Sequence, residues 1–217
     1  MNNNVSSNRS IHIATSPRTG STYLWWLFNI AFGGGQSGGA NVFKTHILNE
    51  SPENSISNLP RRYYWKMGKI FFKEEDYIVN VLRDPIDTIA SMIIQEYFYL
   101  ENKNDLEEYV VTNVDNRIEG YEFFHNAVPK LCNLILDYEE INIYKDNIVE
   151  HVSLETGNKV VNNNYVDFIK NDSHSQFLKS AKTFDQYQFV KELVSKANFD
   201  LSYKIYNNLL KNCKSFK

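Results

Sequence analysis

A polar loop near the N-terminus has the residue types of an anion-binding site. The apolar segment Ile11–Thr15 runs directly into Ser16–Thr22, and an apolar pattern of helical period follows. A strand, a tight loop and a helix start gather several backbone N–H groups around one point, where the helix dipole adds positive potential. Gly20 permits close approach of the backbone, and Arg18 offers two parallel hydrogen bonds to phosphate or sulfate oxygens. The segment therefore predicts a phosphate or sulfate loop.

The loop lacks the Gly-Lys-Ser/Thr ending of an ATP-binding P-loop. Ser21 and Thr22 add hydroxyl donors, but the residue before them is Gly20 and not a lysine. Because the Lys-Ser/Thr pair supports Mg²⁺-nucleotide chemistry, its absence favours an anion site without a metal. The alternative is structural, since serine and threonine commonly cap the first turn of a helix. The loop alone leaves both interpretations open.

Two further polar clusters contain residues suited to anion chemistry. Lys44 and His46 stand at the end of the second predicted strand, and Arg83 and Ser91 follow the third. An arginine and a serine that meet one phosphate can supply charge and a hydroxyl donor. A histidine has a pKa near neutrality and suits a general base. For His46, the alternative is an ordinary surface histidine.

The segment after the third strand also has a structural interpretation. Asp84 is a predicted helix N-cap, with Pro85 at the first helical position. Arg83 then has an alternative role as the partner of Asp84 or Asp87 in a local ion pair. Surface pairs of that kind are common and weak.

The elements that must position these clusters alternate between strands and helices. Short apolar runs bounded by turn or charged residues predict strands at Ile11–Thr15, Asn41–Thr45, Tyr77–Leu82 and Leu131–Asp137. Amphipathic patterns predict helices at Thr19–Phe32, Ile86–Leu100, Asp105–Asn126, Phe184–Lys196 and Asp200–Asn212. The alternation predicts an α/β fold with a parallel β-sheet flanked by helices. Ligands of such sheets bind at the carboxyl ends of the strands, where all three polar clusters fall.

Composition limits the classes of partner. The 217 residues suffice for a single domain, 1–217, in which 1–10 is expected to be a flexible N-terminus. A net charge of −3 leaves no general basic field for nucleic acid. The cysteines and histidines have no metal-ligand spacing, and no apolar run approaches the roughly 20 residues of a membrane span. The N-terminus has no apolar signal core, so a cytoplasmic protein is expected.

The motifs together resemble those of the sulfotransferases that use 3′-phosphoadenosine 5′-phosphosulfate (PAPS). Thr15–Thr22 matches the 5′-phosphosulfate loop T-x-P-[KR]-[ST]-G-[ST]-[ST] position by position. Arg83–Ser91 matches the 3′-phosphate motif R-[DN]-P-x-D-x-x-x-S, and Lys44–His46 matches Lys-Thr-His. Tyr138–Ile141 matches Tyr-Glu-[DE]-[LIM] at the end of a later strand. The resemblance runs from Ile11 to Ile141.

The resemblance implies a nucleotide-kinase-like P-loop fold that uses PAPS as donor, releases PAP and needs no metal. Donor contacts are then expected from Pro17, Arg18, Thr19, Gly20, Ser21, Thr22, Tyr23, Arg83, Ser91 and Tyr138. Arg18 and Lys44 would stabilise the charge of the transition state, and His46 would be the general base. The acceptor is a hydroxyl or amine on a small molecule, a saccharide, a lipid or a peptide tyrosine, and the oligomeric state is left open.

Two departures from the family pattern leave other functions open. A C-terminal Arg-Lys-Gly-x-x-Gly segment is missing, since Gly157 is the only glycine after Gly120. The stretch between the first predicted helix and Lys44 is also short, so a non-catalytic PAP- or PAPS-binding relic without an acceptor pocket is the first alternative. A kinase-like P-loop phosphotransferase is the second, and the missing Gly-Lys-Ser/Thr ending disfavours it.

Overall fold

Four parallel strands form a sheet in a computed structural model that describes residues 9–34, 39–45, 76–99, 105–164 and 184–216. The strands are β1 (Ile11–Ala14), β2 (Val42–Thr45), β3 (Tyr77–Leu82) and β4 (Leu134–Asp137). Their order across the sheet is β2-β1-β3-β4, and every neighbouring pair is parallel. The predicted α/β fold with a parallel sheet is confirmed.

Seven α-helices accompany the sheet within the described ranges. They are α1 (Ser21–Ala31), α2 (Pro85–Tyr99), α3 (Leu106–Ala127), α4 (Tyr138–Ile141), α5 (Lys145–Thr156), α6 (Phe184–Val194) and α7 (Asp200–Leu210). All five predicted helices are present with ends shifted by a few residues, whereas α4 and α5 were not predicted. None of these described helices has the length and apolarity needed to cross a membrane.

The fourth predicted strand began too early. A 3₁₀ helix occupies Val128–Leu131, with Pro129 in its first turn, and β4 starts only at Leu134. Proline has a fixed φ and no N–H, which suits the start of a helical turn and not a strand ladder. Leu131 belongs to that turn and is half exposed. Its apolar side chain extended the apolar run in the sequence, and the strand was therefore predicted to start there.

Two apolar clusters form the core. The first packs α1 and α5 against residues that alternate along the strands, including Ile11, Ile13, Val79, Val81, Leu134 and Leu136. The second joins α2, α3, α6 and the segment that leads into α7. All six residues of β3 are buried, as expected for a strand inside a parallel sheet.

The element ends that carry the predicted site meet at one edge of the sheet. β1 leads through residues 15–20 into α1, β3 leads into α2 and β4 leads directly into α4. Asp84 caps α2 as predicted, because its Oδ1 accepts a hydrogen bond of 3.0 Å from the backbone N–H of Asp87. The start of α2, and with it the position of Arg83, is therefore fixed locally.

Candidate functional site

A cavity of about 430 Å³ lies at the carboxyl edge of the sheet. Nine of the twelve residues predicted to serve the site line it: Pro17, Arg18, Gly20, Ser21, Thr22, Tyr23, Lys44, Arg83 and Tyr138. They come from the ends of all four strands, which are far apart in sequence. The fold therefore brings most of the predicted set around a single space.

A buried asparagine fixes the start of the loop. Asn80 is fully buried in the middle of β3, and its Nδ2 donates a hydrogen bond of 2.9 Å to the carbonyl oxygen of Ala14. This contact ties the last residue of β1 to the neighbouring strand. Sequence reasoning missed Asn80, although a single amide inside the apolar run "YIVNVL" was a signal that this strand carries a buried polar contact.

Two residues of the loop adopt the left-handed backbone conformation. Gly20 has φ 83°, and Arg18 has φ 66°, which costs a non-glycine residue about 1–2 kcal/mol. The carbonyl oxygen of Arg18 accepts a hydrogen bond of 2.8 Å from Nη1 of Arg83. That contact helps to hold the strained residue, and a strained conformation at a cavity wall is typical of a functional loop.

Among the residues that the structure describes, no side chain caps the N-terminus of α1. Gly20 occupies the N-cap position, where it makes no side-chain hydrogen bond, and the first turn contains no acidic residue. The Thr19 hydroxyl instead donates to the carbonyl oxygen of Ser16 at 2.9 Å. The loop is therefore not an ordinary serine or threonine cap. The first turn of α1, with its positive dipole end, lies at the cavity wall through Ser21 and Thr22.

Two arginines lie side by side at the cavity. Burial, and then the charge of Arg83, lower the pKa of Arg18. Nε of Arg18 donates a hydrogen bond of 3.1 Å to Oγ of Ser91, and the guanidinium of Arg83 lies over the ring of Tyr138, 4.6 Å from its centroid. Both guanidinium groups are thus held in place by neutral partners. Two like charges held together at a cavity wall favour an anionic ligand.

Lys44 adds a third positive charge to the cavity. It is half-buried at the end of β2, and its Nζ donates a hydrogen bond of 2.9 Å to Oγ1 of Thr22. Burial, and then the charge of Arg18, lower the pKa of Lys44. β2 pairs with β1 so that Lys44 is in register with Ile13, three residues before the loop begins at Ser16. This register brings Lys44 beside the loop that connects β1 to α1.

Arg83 does not form the local ion pair that was its alternative interpretation. Within the described residues, no carboxylate lies in ion-pair contact with its guanidinium, and Asp87 pairs with Lys191. The second carboxylate, on Asp84, caps α2 and accepts a hydrogen bond from Tyr203. The charge of Arg83 is therefore directed to the cavity.

Three predicted residues do not line the cavity or cannot be placed there. Thr19 and Ser91 are buried behind its wall, where each takes part in a hydrogen bond that holds the loop. His46 lies outside the described residues. The expected flexible N-terminus falls there too, apart from residues 9 and 10.

Three lining residues were not predicted: Gln95, Ile141 and Asn142. Gln95 stands four residues after Ser91, one turn further along the same face of α2. Asn142 stands four residues after Tyr138, just beyond α4. A spacing of four residues from each motif points to Gln95 and Asn142. It predicts them as site residues only when the helix face that lines the cavity is known.

Gly20→Ala is expected to destabilise the protein. The new Cβ would lie 2.9 Å from Cε2 of Tyr138, in a residue whose φ is 83°. The left-handed conformation alone costs about 1–2 kcal/mol, and each kcal/mol corresponds to about 2–4 °C in a chain of this size. Thermal unfolding measures the loss. Gly157→Ala is the control, because Gly157 has φ 72° at the end of α5 and lies away from the cavity. An equal loss in both variants would exclude the contact with Tyr138.

Comparisons with known proteins give a distant likeness to solved structures. No family model matches the chain, and no curated protein matches it. Among solved structures, the mouse sulfotransferase SULT7A1 complexed with PAP is similar at a TM-score of 0.40 and 13% identity, over 94% of this chain and 90% of that one. A likeness this distant carries no functional argument.

Proposed function

We propose that this protein is a PAPS-dependent sulfotransferase. The observation that carries the proposal is the convergence of Arg18, Lys44 and Arg83 on one cavity beside the uncapped start of α1. The chain as a whole has a net charge of −3, so this concentration of positive charge is local. A ligand with two separated anionic groups fits such a site better than a ligand with one.

The proposed donor places each anionic group against a different part of the wall. The loop and the first turn of α1 would hold the 5′-phosphosulfate, with Arg18 as its cation. Arg83 would hold the 3′-phosphate, and Ser91 would hold Arg18 in place by accepting a hydrogen bond from its Nε. Because Arg83 already covers the ring of Tyr138, Tyr23 is the better candidate for stacking on the adenine.

Sulfuryl transfer would proceed by in-line displacement. The acceptor oxygen or nitrogen forms a bond to sulfur while the bond from sulfur to the bridging phosphate oxygen breaks. The electron pair leaves with PAP, and the acceptor proton passes to His46. Charge spreads over the sulfuryl oxygens and the leaving phosphate, much as in phosphoryl transfer, so Lys44 and Arg18 would stabilise it by position and charge. The acceptor would be a hydroxyl or amine of a small molecule, a saccharide or a lipid.

Two measurements test the proposal. Calorimetry should show tighter binding of PAP than of Mg-ATP, and incubation with sulfur-labelled PAPS should transfer label to at least one compound in a panel of hydroxyl and amine acceptors. Tighter binding of Mg-ATP would favour a phosphotransferase instead. Binding of PAP without transfer to any acceptor would favour the non-catalytic relic.

Arg83→Ala is expected to weaken PAP binding far more than binding of adenosine 5′-phosphate (AMP). A hydrogen bond to a charged group is worth about 1.5–3 kcal/mol, and only PAP has the 3′-phosphate. Titration calorimetry with both nucleotides measures the difference. Arg117→Ala is the matched control, since Arg117 pairs with Glu96 and does not line the cavity. An equal loss for PAP and AMP would place Arg83 away from the 3′-phosphate.

A further inference from the structure

The two carboxylates nearest to Arg83 in sequence are both held by tyrosines from the C-terminal helices. The Tyr203 hydroxyl on α7 donates a hydrogen bond of 3.0 Å to Oδ2 of Asp84. The Tyr187 hydroxyl on α6 donates a hydrogen bond of 2.8 Å to Oδ1 of Asp87, which also pairs with Lys191. Each carboxylate therefore faces a hydroxyl donor that lies at least 100 residues away along the chain.

These contacts favour the charged form of the Asp87 carboxylate and the protonated form of both tyrosines. Burial raises the pKa of Asp87, but hydrogen bonds from Lys191 and Tyr187, and the charges of Lys191 and Arg83, hold it below its ordinary value. Burial and the hydrogen bond to the neighbouring aspartate raise the pKa of both Tyr187 and Tyr203. The tyrosines therefore remain hydrogen-bond donors across the physiological pH range.

The guanidinium of Arg83 retains donors that no described residue uses. Of the five N–H groups of its guanidinium, one donates to the carbonyl oxygen of Arg18, and Nε is buried without a partner among the described residues. The backbone of Arg83 is fixed separately, because its own carbonyl oxygen accepts a hydrogen bond of 3.2 Å from the Tyr121 hydroxyl. The guanidinium is thus positioned but not neutralised.

We propose that Tyr187 and Tyr203 are positioning residues that hold the carboxylates of Asp87 and Asp84 away from Arg83. A carboxylate released from its tyrosine can form a bidentate pair with a guanidinium, and such a pair competes directly with a phosphate. Helices α6 and α7 thereby keep Arg83 available for one anionic group of the ligand. The inference rests on the proposed function, because that ligand group is the 3′-phosphate of PAP.

The test is the ratio of the affinities for PAP and for AMP in the variant Tyr187→Phe/Tyr203→Phe. Phenylalanine keeps the ring and removes only the hydroxyl donor. PAP affinity is expected to fall about tenfold, equivalent to about 1.4 kcal/mol. AMP affinity should stay nearly unchanged, because AMP has no group for Arg83 to bind. An unchanged PAP-to-AMP ratio would overturn the proposal.

A second pair of substitutions separates positioning from a general loss of structure. Adding Asp84→Asn and Asp87→Asn removes the competing charges, while asparagine remains a good N-cap for α2. The PAP-to-AMP ratio should then return close to that of the wild type. A ratio that stays low would show that the tyrosines act through folding and not through the carboxylates, which contradicts the proposal.

Two further measurements distinguish a failure of this inference from a failure of the proposed function. If the double tyrosine variant does not fold, the PAP-to-AMP ratio can be measured in Tyr187→Phe and again after Asp87→Asn is added to it. Neither variant changes Asp84, which caps α2. The wild-type protein tests the proposed function itself. If it binds PAP no more tightly than AMP, the proposed function fails; if it prefers PAP and the variants do too, only the role of the tyrosines fails.

Discussion

Lys44→Ala is expected to lower the rate of sulfuryl transfer by about 10²–10³-fold, the usual effect of removing one preorganised donor to developing charge. Its ammonium group is half-buried at the cavity wall and is held by the hydroxyl of Thr22. We assign it to the transferring sulfuryl group, which PAP lacks. Binding of PAP should therefore change little, and the loss should appear in turnover measured with saturating PAPS. Lys130→Ala, outside the cavity, is the control. A large loss of PAP affinity in Lys44→Ala would place the lysine on a nucleotide phosphate instead.

The pH dependence of Lys44 follows from the direction of its pKa. Burial, and then the charge of Arg18, lower that pKa, so the ammonium loses its proton at a lower pH than an ordinary lysine does. Only the charged form stabilises the transition state, so the rate should fall as the pH rises through the pKa. In Lys44→Arg this alkaline limb should disappear, because a guanidinium stays protonated. An unchanged alkaline limb would assign it to another group.

Much of the fold could be predicted because local patterns agreed with the tertiary structure. The β3–α2 junction is the clearest case, since an apolar run, an N-cap aspartate and a proline at the first helical position mark both boundaries. Helix α5 was missed, although Gly157 provides its left-handed C-cap. Its buried residues, Ile148, Val149 and Val152, lie between charged residues and give a weak periodicity. Packing against α1 and the sheet stabilises that helix, and a local pattern does not report such packing.

The candidate site was predictable where it consists of motifs and unpredictable where it depends on packing. Arg18, Lys44 and Arg83 each follow or end a strand, so the parallel sheet alone brings them to one edge. The contact between Arg18 and Ser91 depends on how α2 crosses the sheet. The tyrosines on α6 and α7 depend on the same packing over a longer range, because nothing in the spacing of Tyr187 and Tyr203 points to the aspartates of α2.

His46→Ala is expected to have an effect as large as Lys44→Ala, but with a different signature. His46 immediately follows the last residue of β2 and stands two positions after Lys44, although it lies outside the described residues. A positioned general base contributes about 10²–10⁴-fold to a rate, so turnover should fall by that factor. PAP affinity should barely change, because a base contacts the acceptor and not the nucleotide.

The pH profile decides whether the histidine is that base. Protonation of an imidazole at acidic pH abolishes its ability to accept a proton, so the wild-type rate should fall on the acidic side. That limb should vanish in His46→Ala and persist in Lys44→Ala, which removes charge and not a proton acceptor. His151→Ala, remote from the cavity, should keep the limb as well. Added imidazole should restore part of the lost rate in His46→Ala alone. Near-normal turnover of His46→Ala on a verified acceptor would transfer the role to a carboxylate, because a hydroxyl nucleophile still has to lose its proton to a base whose conjugate acid has a pKa above that of the attacked adduct.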